Sequence, residues 1–309
     1  MTPTEILRHH ASLHGRLHRH VYRSQALGIR KPYYLYTPPG SGHTGLPLVT
    51  LLRGHEREWV SLDEDHSRQS TGIEDIDTLI ARETLPPVAM LIPGVCSSDN
   101  RIHSCGIDMA GTWEGYERSV GTGRFWTYLT KELMPAVEQR PAVEGGDRLA
   151  VGFSLGGYTA HLWATRAPDY FDHVGIYDGT IMWPRHNDPR EEGEAFSDPI
   201  WPEAEIFNPA FGPSPERRRV LRRWNPTDTL RSDEPRRQRL RSTTFWIACA
   251  SHDGTRGNRD RARYLAGLLG DAGVEIGFEQ VIFHDDASHS YRWADRFLIR
   301  FLAGIYAGA

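Results

Sequence analysis

Apolar residues gather in short, nearly unbroken runs at Leu46–Leu52, Val88–Ile92, Arg148–Phe153, His173–Tyr177 and Thr243–Ala250. Runs of this length, rich in β-branched and aromatic residues and closed by Gly, Pro or Asp, are the pattern of strands buried on both faces, as in a parallel sheet. Glu275–Phe283 is predicted as the final strand. Ahead of them Leu17, Val21 and Tyr22, and then Tyr33-Tyr34-Leu35-Tyr36, read as two strands joined at the Leu27-Gly28 turn, an antiparallel start to the sheet. Between the runs the period changes. Glu74–Arg82, Gly123–Gln139, Arg259–Gly270 and Ser290–Ala303 place apolar residues at helical spacing, with Phe125, Trp126, Leu129, Leu133 and Val137 on one stripe and Trp293, Phe297, Leu298 and Phe301 on another. Strands alternating with helices predict an α/β fold with a mostly parallel sheet of about eight strands and helices on both faces. From Thr180 to Arg241 the alternation lapses into an irregular stretch rich in Pro, Arg and Trp, read as a lid-like insertion in which Trp183 and Trp201 wall a pocket. Within it Ser214-Pro215-Glu216 opens a short helix whose Arg217, Arg218, Arg219, Arg222 and Arg223 are read as a solvated face.

One junction in this pattern carries chemistry. The apolar run Arg148–Phe153 leads into Gly152-Phe153-Ser154-Leu155-Gly156 and then into the helical Tyr158–Ala164, so Ser154 falls on a sharp strand-to-helix turn. Glycines on both sides leave room for a strained backbone, and the hydroxyl is left at the top of the sheet. The helix N-terminus that follows offers free amides, of which Leu155 N–H is the first donor to an oxyanion. The second donor of such a site comes from the loop after an early strand, Arg53-Gly54-His55, and is assigned to His55 N–H.

A serine hydroxyl needs an imidazole to take its proton and a carboxylate to fix the imidazole's tautomer. Asp253 and His289 follow Ser154 in chain order, and each lies just beyond the end of a predicted strand, where a parallel sheet gathers its loops. Asp253 is favoured as the acid by that order and by the turn chemistry of Asp253-Gly254. Asp178, at the end of the strand next after Ser154, is its rival and otherwise a pocket residue. Asp285 and Asp286 stand too near His289 in sequence to be placed behind its ring.

Length and composition narrow the setting. A chain of 309 residues with 39% hydrophobic content can bury one large core, and the whole of it, 1–309, is expected to be one domain. Thirty-six Lys and Arg against forty Asp and Glu leave a net charge of −4 without long like-charge blocks, so nucleic acid and acidic membranes are not expected as partners. No apolar run reaches signal-peptide or membrane-span length. Cys96, Cys105 and Cys249 cannot all pair and lack zinc spacing, which suits a reducing compartment and the cytoplasm. His9, His10, His14, His18 and His20 make a histidine-rich start. With no Cys, Asp or Glu of ligand type interleaved at the spacing of a closed site, no metal is expected there.

The elbow Gly152–Gly157 and the tail Ser288-His289-Ser290-Tyr291-Arg292-Trp293 resemble the putative-esterase family of α/β-hydrolases, which includes esterase D, the enterochelin esterases and the mycolyltransferases. Ser24-Gln25-Ala26-Leu27-Gly28, Tyr36–Gly40, Arg53-Gly54-His55 and Lys131-Glu132-Leu133-Met134-Pro135 extend that resemblance over most of the chain. It implies an α/β-hydrolase fold, Ser154 as nucleophile, Asp253 as acid, His289 as base, and the His55 and Leu155 amides as oxyanion hole. Two departures stand out: Arg53-Gly54 where relatives have His-Gly or Asp-Gly, and Asp178 where a serine is common. The expected function is a serine ester hydrolase acting through an acyl-enzyme on a small-molecule ester, without metal or organic cofactor. Acyl transfer by the same triad and a non-catalytic binding protein on a hydrolase scaffold are the alternatives. The oligomeric state is left open.

Overall fold

The computed structural model describes residues 1–184, 201, 205–213, 215–252 and 257–306. Seven strands form one sheet among them: β1 (Arg16–Arg23), β2 (Arg30–Thr37), β3 (Leu48–Leu52), β4 (Ala89–Pro93), β5 (Arg148–Phe153), β6 (His173–Tyr177) and β7 (Thr244–Ala248), in the spatial order β1-β2-β4-β3-β5-β6-β7. β1 and β2 pair antiparallel, and β2 pairs antiparallel with β4; every other neighbour is parallel. The strands after β2 thus point one way, and their C-terminal ends share one edge. That edge is where an open α/β sheet presents its ligand crevice.

The apolar runs are continuous because both faces are covered. Val174 and Ile176 of β6 and Phe245 and Ile247 of β7 face one cluster, whereas Tyr177, Trp246 and Ala248 face the other. The first face takes the helices Leu155–Arg166 and Asn258–Asp271 and the helical run from Phe125 to Glu138. That run widens into π-helical turns over Tyr128–Leu133 just before Pro135, whose missing N–H removes one α-helical bond. The second face takes Pro3–His9, Gly72–Ala81 and Tyr291–Tyr306. Gly175 in β6 seats the last of these, since a Cβ there would come within 3.0 Å of Phe297 and 3.1 Å of Phe301.

Two expectations need correction. The eighth strand, Glu275–Phe283, reduces to isolated parallel bridges of Ile276 with Phe245 and Ile282 with Cys249. The chain crosses the Trp246 ring at Gly277, where any Cβ would stand 2.3 Å from the indole, and a continuous ladder does not form. The insertion, read as irregular, is largely short helices in its described part: Asn208–Phe211, Arg217–Arg223, Pro226–Ser232 and Glu234–Arg239. The Pro and Asn that interrupt its pattern are helix starts, as at Asn225, whose side chain accepts from the amides of Thr227 and Asp228.

Candidate active site

β5 delivers Ser154 to the crevice in a strained backbone conformation, φ 55° and ψ −119°. The two glycines of the elbow are dictated by space. A Cβ on Gly152 would lie 2.1 Å from the Gly156 carbonyl oxygen, and one on Gly156 would lie 1.9 Å from that of Leu52. The same close approach brings the end of β3 against the first turn of the helix Leu155–Arg166. Ser154 N–H donates to Tyr177 O at 3.2 Å, and Thr180 N–H to Ser154 O at 3.0 Å, so the elbow is pinned to the end of β6. Among the described residues neither the Ser154 hydroxyl nor the Leu155 amide donates to a protein acceptor, which leaves both to a ligand.

An imidazole and a carboxylate meet at the next strand end. His289 Nδ1 is hydrogen-bonded to Asp178 Oδ2. The Asp178 side chain is only 2% exposed, whereas that of His289 is 26% exposed. Ala250 N–H donates to Asp178 Oδ1 at 3.2 Å, Asp178 N–H donates to Ala248 O at 2.8 Å, and Asn258 Nδ2 donates to Asp178 O at 3.0 Å. Asp178 has a left-handed backbone, φ 44°, which turns its side chain back over the sheet edge. The His289 ring stands 4.7 Å from that of Phe153, the residue before the serine, and Tyr177 Oη donates to Ser288 O at 2.7 Å. The imidazole is therefore held beside the elbow with Nδ1 turned to a buried carboxylate. Asp253, the acid expected from chain order, lies outside the described residues.

The loop after β3 differs from expectation. His55 N–H donates to Glu58 Oε2 at 2.5 Å and Gly54 N–H to the same oxygen at 2.9 Å, so in this structure the His55 amide is engaged by a carboxylate and does not face an open oxyanion site. The cause is local: Glu58 closes a turn on His55 O, which swings its side chain under the two amides. The His55 ring has a fixed tautomer, accepting from Arg57 N–H at Nδ1 and donating from Nε2 to Ser98 O. It is a buried brace for the loop. Arg53 lies with its guanidinium 5.6 Å from the Phe153 ring and its Nε 3.8 Å from Glu58, adding a cation beside the elbow. Burial, and after it the charge of Arg53, pulls the neighbouring His103 pKa down.

The insertion's tryptophans are packed inward. Trp201 is 2% exposed among Tyr158, Phe207 and Phe211, with ring centroids at 4.8, 4.7 and 5.6 Å. Trp183 is 6% exposed against Tyr264 and under the Arg261 guanidinium. Trp201 thus sits in a core that the insertion shares with the elbow helix, and Trp183 packs on the helix Asn258–Asp271; both were expected to wall a pocket. The arginine helix is mostly solvated as expected, apart from Arg217, which is buried and donates to Gly212 O. Cys96, Cys105 and Cys249 are buried, and no helix among the described residues is long and apolar enough to cross a membrane.

A sequence search of curated proteins finds no match. Among solved structures the fold is similar to that of a ferulic acid esterase, with a TM-score of 0.63 at 17% identity over 95% of this chain and 98% of that one. It is also similar to an S-formylglutathione hydrolase from Agrobacterium tumefaciens, with a TM-score of 0.62 at 18% identity over 95% and 96%. The enterobactin esterase of Shigella flexneri matches with a TM-score of 0.59 at 17% identity, over 94% of this chain and 59% of the other. Such identities speak for the fold. The family rests on the sequence itself, in which residues 24–296 match the model of the putative esterase family, a span that includes the elbow and His289. The chain belongs to the putative esterase family and is an enzyme acting on ester bonds.

Proposed function

We propose that the chain hydrolyses small-molecule carboxylic esters through an acyl-enzyme on Ser154, with His289 as base and Asp178 as the orienting acid. The observation that carries the reading is the buried Asp178 carboxylate on His289 Nδ1, one strand away from a serine in nucleophile-elbow geometry. Held this way, Nδ1 keeps its proton and Nε2 is the nitrogen left to act as base. Ser154 Oγ attacks the acyl carbonyl as Nε2 takes its proton. Negative charge on the carbonyl oxygen is met by Leu155 N–H and the positive end of the helix Leu155–Arg166. The imidazolium, stabilised by Asp178, gives its proton to the departing alcohol. Water then clears the acyl group by the same route in reverse roles.

The small-ester reading is supported by the family and by the names of the similar structures, a ferulic acid esterase, an S-formylglutathione hydrolase and an enterobactin esterase. The buried free thiols of Cys96 and Cys105 support placement in a reducing cytoplasm. Turnover of p-nitrophenyl acetate, followed by a panel of longer acyl, feruloyl, catecholate and thioester substrates, tests the activity and ranks the acyl group. Ser154→Ala should lower turnover by at least about 10³-fold while leaving the fold intact. Retention of a tenth of the activity in protein free of other esterases would overturn the assignment.

A further inference from the structure

The helix Pro3–His9 ends on two adjacent histidines, and the fold lays them beside the first turn of the helix Gly72–Ala81. One ligand atom each of His9, His10 and Glu74 lies within 4.8 Å of the others, and His9 Nε2 stands 3.0 Å from Glu74 Oε1. Two features set this apart from an ordinary surface ion pair. The first is the state of the nitrogens. His10 is 4% exposed, and its Nε2 is committed to the Val60 carbonyl at 2.9 Å, so Nε2 carries the proton and Nδ1 presents a lone pair. Among the described residues that Nδ1 is buried with no hydrogen-bond partner, and so is His9 Nε2, although Glu74 Oε1 is 3.0 Å away.

The second feature is the support behind each group. A ligating imidazole commonly donates its other nitrogen to a backbone carbonyl, as His10 does to Val60. Glu74 is the third residue of a capping box. Its Oε2 accepts from Thr71 N–H at 2.7 Å and from the Thr71 hydroxyl at 2.9 Å, which leaves Oε1 turned toward the histidines. Arg68, which donates to the neighbouring Glu58 and Trp59 carbonyls, is paired with Asp295 at 3.1 Å.

We propose that His9, His10 and Glu74 form a divalent-cation site, outside the catalytic crevice, that takes zinc or a similarly borderline ion. Two imidazoles and one carboxylate suit such an ion, and a solvent molecule completes its coordination. With zinc-to-ligand distances of about 2.0–2.2 Å, closure asks for a shift on the order of 1 Å, which His9, at the exposed helix end, can supply. The bound ion ties the first helix to the second face of the sheet.

The test is calorimetric titration of the tag-free full-length chain, stripped with EDTA, with Zn²⁺, backed by the visible absorption of Co²⁺ as a coordination probe. One equivalent is expected to bind, with a Co²⁺ band shifted from that of the aqueous ion, and zinc should raise the melting temperature. Glu74→Gln preserves the capping box, since glutamine serves there, and should weaken binding about tenfold or more. His10→Ala should abolish it, and His9→Ala, at a half-exposed position, covers the case in which the buried substitution fails to fold. His18→Asn should change nothing. Failure of the wild type to bind one equivalent, or binding undiminished in Glu74→Gln and His9→Ala, would overturn the site.

Discussion

Asp178→Asn tests the proposed orienting acid apart from everything else at the site. The native carboxylate does two things at once: Oδ1 accepts from Ala250 N–H at 3.2 Å, and Oδ2 holds His289 Nδ1. An amide has one oxygen, and the backbone donor at Ala250 is fixed and buried, so the asparagine oxygen stays there and its NH₂ group turns to the imidazole. Nδ1 must then accept, which moves the ring proton to Nε2 and removes the lone pair that should take the Ser154 proton. The same exchange of tautomer in a well-studied triad lowers turnover by about 10⁴, or about 5.4 kcal/mol of barrier. The backbone pays no comparable penalty, because φ 44° at this position is a conformation that asparagine tolerates as well as aspartate does. Activity should collapse while the melting temperature moves little. The assay is kcat/KM on p-nitrophenyl acetate for Asp178→Asn beside Asp253→Asn, each checked by thermal melting. A folded Asp178→Asn enzyme with a tenth of wild-type turnover, alongside a crippled Asp253→Asn, would return the acid to the loop after β7 and refute the argument.

Trp201→Ala should destabilise the protein by about 3–5 kcal/mol, read by denaturant unfolding, since three aromatic neighbours lose their partner; an altered acyl-chain ranking at unchanged stability would mean that the indole lines the pocket after all. His161, fully buried with neither ring nitrogen bonded, has its pKa pushed down to about 3 by burial. The folded state therefore binds fewer protons than the unfolded state between about pH 6.5 and pH 3, so its share of stability is complete above pH 6.5 and falls by about 1.4 kcal/mol per pH unit below it. His161→Leu should flatten the decline of melting temperature with acid over that window, and an unchanged slope would show that the ring is solvated.

What could be read from the sequence was what a local pattern enforces. Continuous apolar runs announce strands covered on both sides, and the crowding that demands Gly152 and Gly156 leaves the elbow unmistakable. The carboxylate on His289 was harder to foresee, because Asp178 and Asp253 both follow strands and chain order cannot weigh which one reaches the ring; that Asp178 does so depends on its φ of 44°, which an Asp allows but does not dictate. The oxyanion loop did carry a signal, a glutamate three residues after His55 and able to cap its amide, whose effect depends on the turn it closes. The last strand failed because Trp246 projects through the place where Gly277 must cross. For the histidines, spacing along the N-terminal stretch could not reveal Glu74, which arrives from a different helix.

Phe153 gathers the site: its ring stands 4.7 Å from that of His289, 5.0 Å from that of Tyr291 and 5.8 Å from that of Tyr177. Two of those partners lie at or just before the start of the helix Tyr291–Tyr306, which docks on Gly175 through Phe297 and Phe301. On the proposed roles, a chain emerging from the ribosome carries Ser154, its elbow and Asp178 long before it carries His289, and even a complete sheet stays inert until that helix seats. Ester turnover during refolding is a clock for this docking step, and a substitution such as Gly175→Ala, which obstructs the seat, should delay the onset of catalysis more than the recovery of β-sheet signal.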